Sequence, residues 1–243
     1  MASFKDKIIL ITGGSSGIGR ATTLLFADKG ADIALTFKSN KEGAEDVANK
    51  IKSKGRKVLL IQADLCNENE AKSVVENTIK EFEKIDVLIN NAGRYVEGDE
   101  WNGSSDVWIK SLEQNLVSMM NVSKYVIEVF QKQKSGVMVS VASRHGVNGH
   151  SDAISYSAAK AGVINITQSY AELLKPFGRA NSVSPSATNA GYWLTAPKEE
   201  LKQALANRPS HKLVDPETVA EKIIFLASDD AKDISAQNLS ITD

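Results

Sequence analysis

Short apolar runs alternate with longer amphipathic segments along nearly the whole chain. The runs lack polar alternation, which indicates strands buried on both faces, as in a parallel sheet covered by helices. The predicted strands lie near residues 7–12, 32–37, 57–62, 85–89, 136–141, 179–183 and 237–241. The predicted helices lie near residues 18–29, 41–54, 68–83, 105–133, 155–175 and 216–228. We therefore predict one α/β domain over residues 1–243, a Rossmann-type doubly wound parallel sheet of about seven strands with helices on both faces.

A glycine-rich turn, GGSSGIGR at residues 13–20, stands between the first strand and the first helix. Strand, glycine-rich turn and helix in this order are the context of a dinucleotide-binding fingerprint. Gly13 permits a tight turn, Gly17 lets the backbone approach a pyrophosphate, and Gly19 lets the helix pack on the strand. The N–H groups at the helix start can then bind phosphate. The spacing differs from the commoner G-x-G-x-x-G, and an ordinary strand-to-helix loop is the alternative.

Tyr156 and Lys160 are four residues apart in a segment with a helical pattern. Residues i and i+4 share a helix face, so the lysine ammonium would lie beside the phenol. A free tyrosine has a pKa of about 10. A nearby cation lowers that pKa, which suits proton exchange with an alcohol or a ketone. A helix that carries both residues by coincidence is the alternative, because this spacing alone is common.

Several further motifs follow one another in a fixed order. They are TGGSSGIG (12–19), Asp64 after the third strand, NNAG (90–93), Asn115, Ser143 thirteen residues before Tyr156, and the helical segment 215–231. In this order and spacing the chain resembles the short-chain dehydrogenase/reductase family over essentially its whole length. The resemblance implies hydride transfer between a nicotinamide cofactor and a carbonyl or secondary alcohol substrate.

The resemblance assigns catalytic roles to four residues, Asn115, Ser143, Tyr156 and Lys160. Ser143 and Tyr156 would hold the substrate carbonyl, with Tyr156 as general acid/base. Lys160 would tune Tyr156 and also bind the nicotinamide ribose. Asn115, an asparagine in mid-helix where that residue is a mediocre helix former, would hold a water that links Lys160 to solvent. The alternative for Ser143 is a plain turn residue.

The resemblance also implies a set of cofactor contacts. In it, Asp64 accepts from the adenine amino group and the residues after the fourth strand form a wall beside the adenine ribose, whereas Asn90 ties strands together. The predicted cofactor-binding residues are Gly13, Ser15, Ser16, Gly17, Ile18, Gly19, Phe37, Lys38, Ser39, Asp64, Leu65, Asn91, Ala92, Gly93, Tyr156, Lys160, Pro185 and Thr188.

The end of the second strand indicates which cofactor is preferred. NAD enzymes usually carry a carboxylate there that binds the ribose hydroxyls. This chain has Phe37, Lys38 and Ser39 instead, so no carboxylate repels a 2′-phosphate, and Lys38 offers a positive charge to bind one. We expect NADP(H) to be preferred over NAD(H). The alternative is that Lys38 is a solvated surface lysine.

The segment after the sixth strand departs from the family pattern P-G-x-Ile/Val-x-Thr, which contacts the nicotinamide carboxamide. Here Pro185 is followed by Ser186, then by Thr188 at the aliphatic position and Ala190 at the threonine position. The Thr188 backbone can still bond the carboxamide, and its side chain is a candidate to replace the lost hydroxyl. A weaker cofactor grip motivates the alternative function, a non-catalytic nucleotide-binding member of the same fold. An epimerase or dehydratase is a third reading, which generally needs a larger substrate-binding part.

Charge and cysteine content restrict the partners. The formal net charge is −1, which gives no reason to expect nucleic acid or an anionic membrane as partner. One cysteine, Cys66, excludes an internal disulfide and fits a reducing cytoplasm. No apolar run has the length of a signal peptide or a membrane span, and no cluster has metal-ligand spacing. We expect a cytoplasmic enzyme that acts on a small carbonyl or alcohol and holds no metal.

The substrate side is the least defined part of the sequence. A long irregular stretch, 184–212, is expected to be a lid over the substrate. The predicted pocket residues are Arg94, Tyr95, Arg144, His145, His150, Tyr192 and Trp193. Arg144 and His145 would favour a polar or anionic substrate, unless they point to solvent. By resemblance, the helices near 105–133 and 155–175 would build a homodimer, usually within a homotetramer.

Overall fold

The computed structural model describes residues 3–206 and 210–242. The strands are β1 Ile8–Ile11, β2 Asp32–Phe37, β3 Val58–Gln62, β4 Val87–Asn90, β5 Gly136–Val141, β6 Gly178–Pro185 and β7 Asn238–Ile241. Within the described residues they form one seven-stranded sheet in the order β3-β2-β1-β4-β5-β6-β7, and every pair is parallel. The predicted doubly wound parallel sheet is confirmed.

Helices cover both faces of this sheet. They are α1 Gly17–Asp28, α2 Lys41–Ser53, α3 Glu68–Phe82, α4 Ser105–Leu112, α5 Ser118–Gln133, α6 His145–Asn148, α7 Ile154–Leu174, α8 Lys198–Ala206 and α9 Pro216–Ala227. Successive side chains of a strand point to opposite faces. Accordingly Ile9 and Ile11 belong to the apolar layer under α1, α2 and α9, whereas Leu10 belongs to the layer under α3, α5 and α7. In residues 3–206 and 210–242, no helix has both the length and the apolar character to cross a membrane.

The structure is helical over the predicted range 105–133, but it is not α-helical throughout. A π-helical turn, Glu113–Val117, separates α4 from α5. Such a turn inserts one extra residue into an otherwise regular helix and commonly marks a functional position. The hydrophobic periodicity of the sequence does not reveal a single inserted residue, because the helical pattern resumes after the π-helical turn. The turn carries Asn115, which is only 1% exposed.

The stretch 184–212 is less irregular than the sequence indicates. It contains the last residues of β6, a 3₁₀ turn Gly191–Leu194, and α8. Thr188 forms an isolated parallel bridge with Val214, which joins the start of the stretch to the segment before α9. Residues 207–209 of the predicted lid lie outside the described residues.

The order of the strands determines where the chain can bind a ligand. β1 lies between β2 and β4, so the direction of winding reverses between β1 and β4. Ligands of open α/β sheets bind beyond the carboxyl ends of the strands at such a switch point. The glycine turn after β1 and the loop after β4 meet at this position.

Candidate active site

The glycine turn adopts the shape that its sequence predicts. Gly13 and Gly17 have positive φ values of 67° and 52°. A side chain at Gly19 would collide with the carbonyl oxygen of Gly13 and the side chain of Asn91, so only glycine fits there. The Ser16 side chain makes no capping hydrogen bond to α1, and the first turn of that helix holds no acidic residue. The start of α1 therefore presents backbone N–H groups and no negative charge, which suits a phosphate.

Asn91 and Thr12 fasten this turn to the end of β4. The Asn91 amide nitrogen donates to the carbonyl oxygens of Thr12 and Gly13 over 2.9 and 3.1 Å. The Thr12 hydroxyl oxygen in turn accepts from the backbone N–H groups of Asn91 and Ala92 over 2.9 and 3.0 Å. The Asn91 side chain thus holds the glycine turn, which the sequence analysis did not anticipate. Asn90 does not tie strands together through its side chain, since its amide donates to Ser123 on α5 over 2.9 Å.

The predicted adenosine-side residues lie next to one another beyond β2 and β3. Lys38 Nζ lies 2.5 Å from Asp64 Oδ2, and the two side chains are 61% and 37% exposed. The hydrogen bond from Lys38 lowers the pKa of Asp64. Exposed ion pairs of this kind contribute only about 0–1 kcal/mol, so the pair separates easily. Asn40 caps α2 and donates to the Ser15 carbonyl over 3.3 Å, which docks the end of β2 onto the glycine turn.

Most of the predicted cofactor-binding residues fall at the carboxyl edge of the sheet. Tyr156 and Lys160 belong to α7. The others lie in the turn and helix start after β1 (Gly13, Ser15, Ser16, Gly17, Ile18, Gly19), at the end of β2 (Phe37, Lys38, Ser39), after β3 (Asp64, Leu65), after β4 (Asn91, Ala92, Gly93) and at the end of β6 (Pro185, Thr188).

The four residues predicted to be catalytic come from three neighbouring segments. Tyr156 and Lys160 lie on α7, with the lysine Nζ 5.6 Å from the centroid of the phenol ring. Ser143 follows β5, and its hydroxyl lies near enough to the phenol to lower the pKa of Tyr156. The same hydroxyl oxygen accepts from the His145 N–H over 3.2 Å. Asn115 lies in the π-helical turn and donates from Nδ2 to the carbonyl oxygens of Arg94 and Ser111 over 2.8 and 3.0 Å. The structure brings all four together.

The space between Asn115 and Lys160 is kept open by Gly93. A Cβ atom at residue 93 would lie 2.6 Å from Asn115 Oδ1 and 3.5 Å from Lys160 Nζ. Asn115 Oδ1 is buried and accepts no hydrogen bond from the residues that the structure describes. Buried polar atoms without a protein partner commonly bond an ordered water. The position suits a water between the amide and the ammonium, as the resemblance implies.

The proton-exchanging groups have shifted pKa values. Burial raises the pKa of the Tyr156 phenol, and the hydrogen bond with Ser143 opposes the rise. Burial lowers the pKa of Lys160 to about 8, since the side chain is only 4% exposed. Its Nζ donates a hydrogen bond to the Val141 carbonyl over 2.9 Å. The sequence predicted a lowered tyrosine pKa because of the neighbouring cation. Burial dominates instead and favours the neutral form of both groups.

Aromatic rings surround Tyr156 on the substrate side. The rings of Tyr95 and His145 stand nearly perpendicular to it, with centroids at 6.4 and 6.1 Å. Tyr192 contacts Tyr95 with centroids 5.1 Å apart, and His150 stacks on His145 at 4.6 Å. Burial, followed by the nearby His150, lowers the pKa of His145 to about 4, so this ring is neutral at pH 7.

The remaining predicted pocket residues are two arginines and a tryptophan. Arg94 and Arg144 are exposed, and Trp193 contacts Tyr192 rather than Tyr156. Because the arginines are exposed and His145 is neutral, the wall beside the phenol offers aromatic surface. The preference for a polar or anionic substrate stays a prediction.

The altered segment after β6 is well anchored. Thr188 is buried, and its hydroxyl donates to the Ser186 carbonyl over 2.9 Å. The hydroxyl donates its proton within its own turn, whereas its oxygen keeps lone pairs that can accept a hydrogen bond. Its replacement of the missing threonine stays a prediction. Ala190 lies against the glycine turn, since a Cβ atom at Gly17 would be 3.1 Å from the Ala190 Cβ.

One residue near Tyr156 escaped the sequence analysis. Asp99, in the loop after β4, is fully buried and accepts hydrogen bonds from the first residues of α7. The sequence contained an indirect signal. α7 starts after Ala153, which has no capping side chain, and uncapped N–H groups at a helix start need a partner from elsewhere.

The sequence was compared with protein-family models. A model described as short chain dehydrogenase matches residues 7–204, which is most of the chain.

The chain belongs to the short-chain dehydrogenase/reductase family.

Individual members of the family are similar over almost their full length. A 3-oxoacyl-(acyl-carrier-protein) reductase of Thermotoga maritima is 34% identical over 238 residues, covering 98% of this chain and 96% of that protein. The structure of NAD+-bound xylitol dehydrogenase is 28% identical with a TM-score of 0.93, covering 98% of each chain. The structure of the NADPH-dependent 3-quinuclidinone reductase from Rhodotorula rubra is 27% identical with a TM-score of 0.91, covering 99% of this chain and 91% of that one.

This short-chain dehydrogenase/reductase is an NAD(P)-dependent oxidoreductase. The residues present fit a nicotinamide dinucleotide. The glycine turn has no side chains where a pyrophosphate would approach, and Asn115 Oδ1 is a buried acceptor beside Lys160.

Proposed function

We propose that the enzyme interconverts a carbonyl compound and a secondary alcohol, with Tyr156 as general acid/base and NADPH as the preferred cofactor. One observation carries the proposal. Ser143, Tyr156, Lys160 and Asn115 meet beside the switch point of the sheet, although they come from separate segments. When bound there, the nicotinamide supplies the hydride or accepts it.

The pKa shifts support the direction of reduction at neutral pH. A phenol with a raised pKa stays protonated, so Tyr156 is ready to donate its proton to the oxygen of a carbonyl that receives hydride. Ser143 orients the same oxygen through its hydroxyl. Lys160, with a pKa of about 8, can return a proton at neutral pH, and the Asn115 amide can hold the water that connects it to solvent. Lys160 also binds the ribose in this proposal.

Tyr156→Phe tests the proposal with a matched control. The variant removes the phenolic hydroxyl and keeps the ring, and we expect kcat for NADPH-dependent carbonyl reduction to fall by about 10²–10⁴-fold. Tyr170→Phe makes the same change farther along α7, against the apolar layers, and should retain activity. A panel of ketones, quinones, oxoacyl esters and sugars provides the substrates. Equal activity of the Tyr156→Phe variant and the wild type would refute the mechanism.

The preference for NADPH rests on Lys38. The end of β2 carries no carboxylate. The pair of Lys38 with Asp64 is exposed and contributes only about 0–1 kcal/mol, so the ammonium can turn to a 2′-phosphate. Lys38→Ala should lower kcat/KM for NADPH and leave that for NADH unchanged. Lys41→Ala, which removes a neighbouring exposed lysine paired with Glu45, is the control. Equal efficiency of wild type with both cofactors would contradict the preference.

The altered turn after β6 favours one second candidate, a nucleotide-binding protein without turnover. Its support is Ala190, which lacks the hydroxyl that the family pattern has at this position. Calorimetry separates the two candidates. Tight NADPH binding without reduction of any carbonyl would favour the nucleotide-binding protein. Carbonyl reduction by the double variant Ser186→Gly, Ala190→Thr, which restores the family pattern, would instead favour the enzyme.

We further propose how the enzyme is organised. Residues 1–243 would act as one domain, with 184–212 covering a small substrate, in the cytoplasm. Two copies would join through α4, α5 and α7 into a dimer or a tetramer. Ile109, Met120 and Leu173 support this, because they are apolar and 53%, 39% and 54% exposed. Val163 faces the core and does not contribute. Light scattering at micromolar concentration tests the assembly, and a monomer would refute it.

A further inference from the structure

Asp99 makes an unusual set of contacts for a loop carboxylate. Its side chain is fully buried and accepts from Ser155 N, Ser155 Oγ and Tyr156 N over 2.9, 2.6 and 2.7 Å. Its backbone carbonyl also accepts from Ile154 N over 3.1 Å. A buried carboxyl group is costly unless its oxygens are bonded. All of these bonds go to the first three residues of α7.

The contacts replace a cap that the helix lacks. The first N–H groups of a helix have no partner within it, and negative groups are favourable at that end. Ala153, at the capping position, contributes no side-chain bond. Asp99 supplies the cap from 56 residues away and reaches the backbone N–H of Tyr156 itself.

The loop that carries Asp99 also contacts the rest of the site. The Arg94 carbonyl accepts from Asn115, and the Tyr95 hydroxyl donates to the Asp152 carbonyl over 3.0 Å, just before α7. Gly93 leaves the space between Asn115 and Lys160 open. Residues 93–99 therefore connect the π-helical turn with the start of α7.

We propose that Asp99 is a positioning residue for the reaction: it fixes the backbone of Tyr156 and thereby the phenol at the distance that proton transfer requires. The inference rests on the proposed function, because the position of the phenol matters only if Tyr156 transfers the proton. A misplacement of about 1 Å can lower the rate by about 10²-fold.

Two variants of Asp99 separate positioning from folding. Asp99→Ala removes every side-chain bond, and we expect kcat to fall by about 10²-fold with the KM for NADPH unchanged. Asp99→Asn keeps one oxygen for Ser155 but sets an NH₂ group against the Tyr156 N–H, so we expect a smaller fall of about 10-fold. Asp86→Ala is the control, because Asp86 also bonds a backbone N–H, that of Ile8 over 2.8 Å, but at the opposite edge of the sheet.

The primary deuterium isotope effect on kcat, measured with NADPH deuterated at the transferred position, is the second readout. A displaced phenol slows chemistry relative to product release, so the isotope effect should rise in both Asp99 variants. A loss of folded enzyme lowers the rate without changing the isotope effect. For Asp86→Ala we therefore expect the isotope effect of the wild type, even if the measured rate falls.

The outcomes are distinct. Folded Asp99 variants with the kcat and isotope effect of an active wild type would overturn the inference alone. If Asp99→Ala does not fold, Asp99→Asn decides by the same measurements, and if neither folds, Asp99 serves folding and the inference is wrong. A wild type that reduces no carbonyl in the panel would instead refute the proposed function, and the inference with it.

Discussion

The loop after β4 and the segment after β6 both approach Tyr156, but different kinds of contact hold them. Residues 91–99 make buried hydrogen bonds to the glycine turn, the π-helical turn and α7. The segment from 191 onward makes ring contacts and exposed hydrogen bonds, such as the bond from the Tyr192 hydroxyl to Glu200 Oε2 over 2.5 Å. The comparison indicates that the first region determines whether chemistry occurs, whereas the second can vary with the substrate.

The largest expected effect comes from removing the buried ammonium. Lys160→Met should lower kcat/KM by at least about 10²-fold and yet raise the free energy of unfolding at pH 7 by about 1–3 kcal/mol. The pKa of Lys160 falls from 10.5 to about 8 on folding, so between these values the unfolded chain binds more protons and stability rises with pH. The stability advantage of the variant should therefore be greatest below pH 8 and shrink above it. Urea unfolding at several pH values measures this, and a destabilised variant at pH 7 would contradict the account.

Gly93→Ala should have the next largest effect. The residue has φ +149° and its new Cβ atom would lie 2.6 Å from Asn115 Oδ1, so the side chain must displace the amide. We expect a fall in kcat/KM of about 10²-fold and a loss of about 1–3 kcal/mol of stability. Gly55→Ala is the control, because Gly55 also has positive φ but no atom within 4 Å of the new Cβ. Similar activity of the two variants would show that the space beside Lys160 is not needed.

Asn91→Ala should act on cofactor binding. It removes the two bonds that the Asn91 side chain donates to the glycine turn, which should raise the KM for NADPH by about 10-fold with little change in kcat, and cost about 1–3 kcal/mol of stability. Asn90→Ala removes a buried bond to Ser123 instead and should reduce stability alone. Steady-state kinetics with thermal unfolding distinguishes them. An equal rise in KM in both variants would count against a separate role for Asn91.

Tyr192→Phe should have the smallest effect. The bond to Glu200 raises the pKa of Tyr192 to about 12, but both groups are exposed, so its loss should change stability by less than about 0.5 kcal/mol. Any change should appear in the KM for the carbonyl substrate. Tyr125→Phe removes a similar exposed bond, to Glu68 over 2.8 Å, away from the site. A large fall in kcat in Tyr192→Phe would mean that the second region takes part in the chemistry.

Much of the fold could be predicted because its signals are local. A strand buried on both faces leaves an apolar run, and Ile9, Leu10 and Ile11 are all fully buried as that run predicts. The spacing of Tyr156 and Lys160 places them together on any helix. The family spacing of Ser143 and Asn115 added the other two members of the group.

The missing parts depend on contacts that local patterns do not contain. Asp99 reaches across 56 residues to α7, and a carboxylate in a loop looks the same whether it is solvated or buried. The tyrosine pKa was predicted in the wrong direction because spacing reports the nearby lysine but not the burial that outweighs it. The hydrogen bond that the Thr188 hydroxyl donates to the Ser186 carbonyl likewise depends on the turn that forms around it.

The π-helical turn at Glu113–Val117 gives the chain one residue more than a regular helix needs to cover the same distance. Deleting a single residue there would restore uniform i to i−4 bonding through the joined helix and rotate Asn115 away from Lys160 by about 100°. In a library screened for thermal tolerance such deletions should be enriched, whereas in the same library screened for turnover they should be lost. In an alignment with relatives, we accordingly expect a gap of one residue at this turn to indicate a protein whose asparagine no longer faces the lysine.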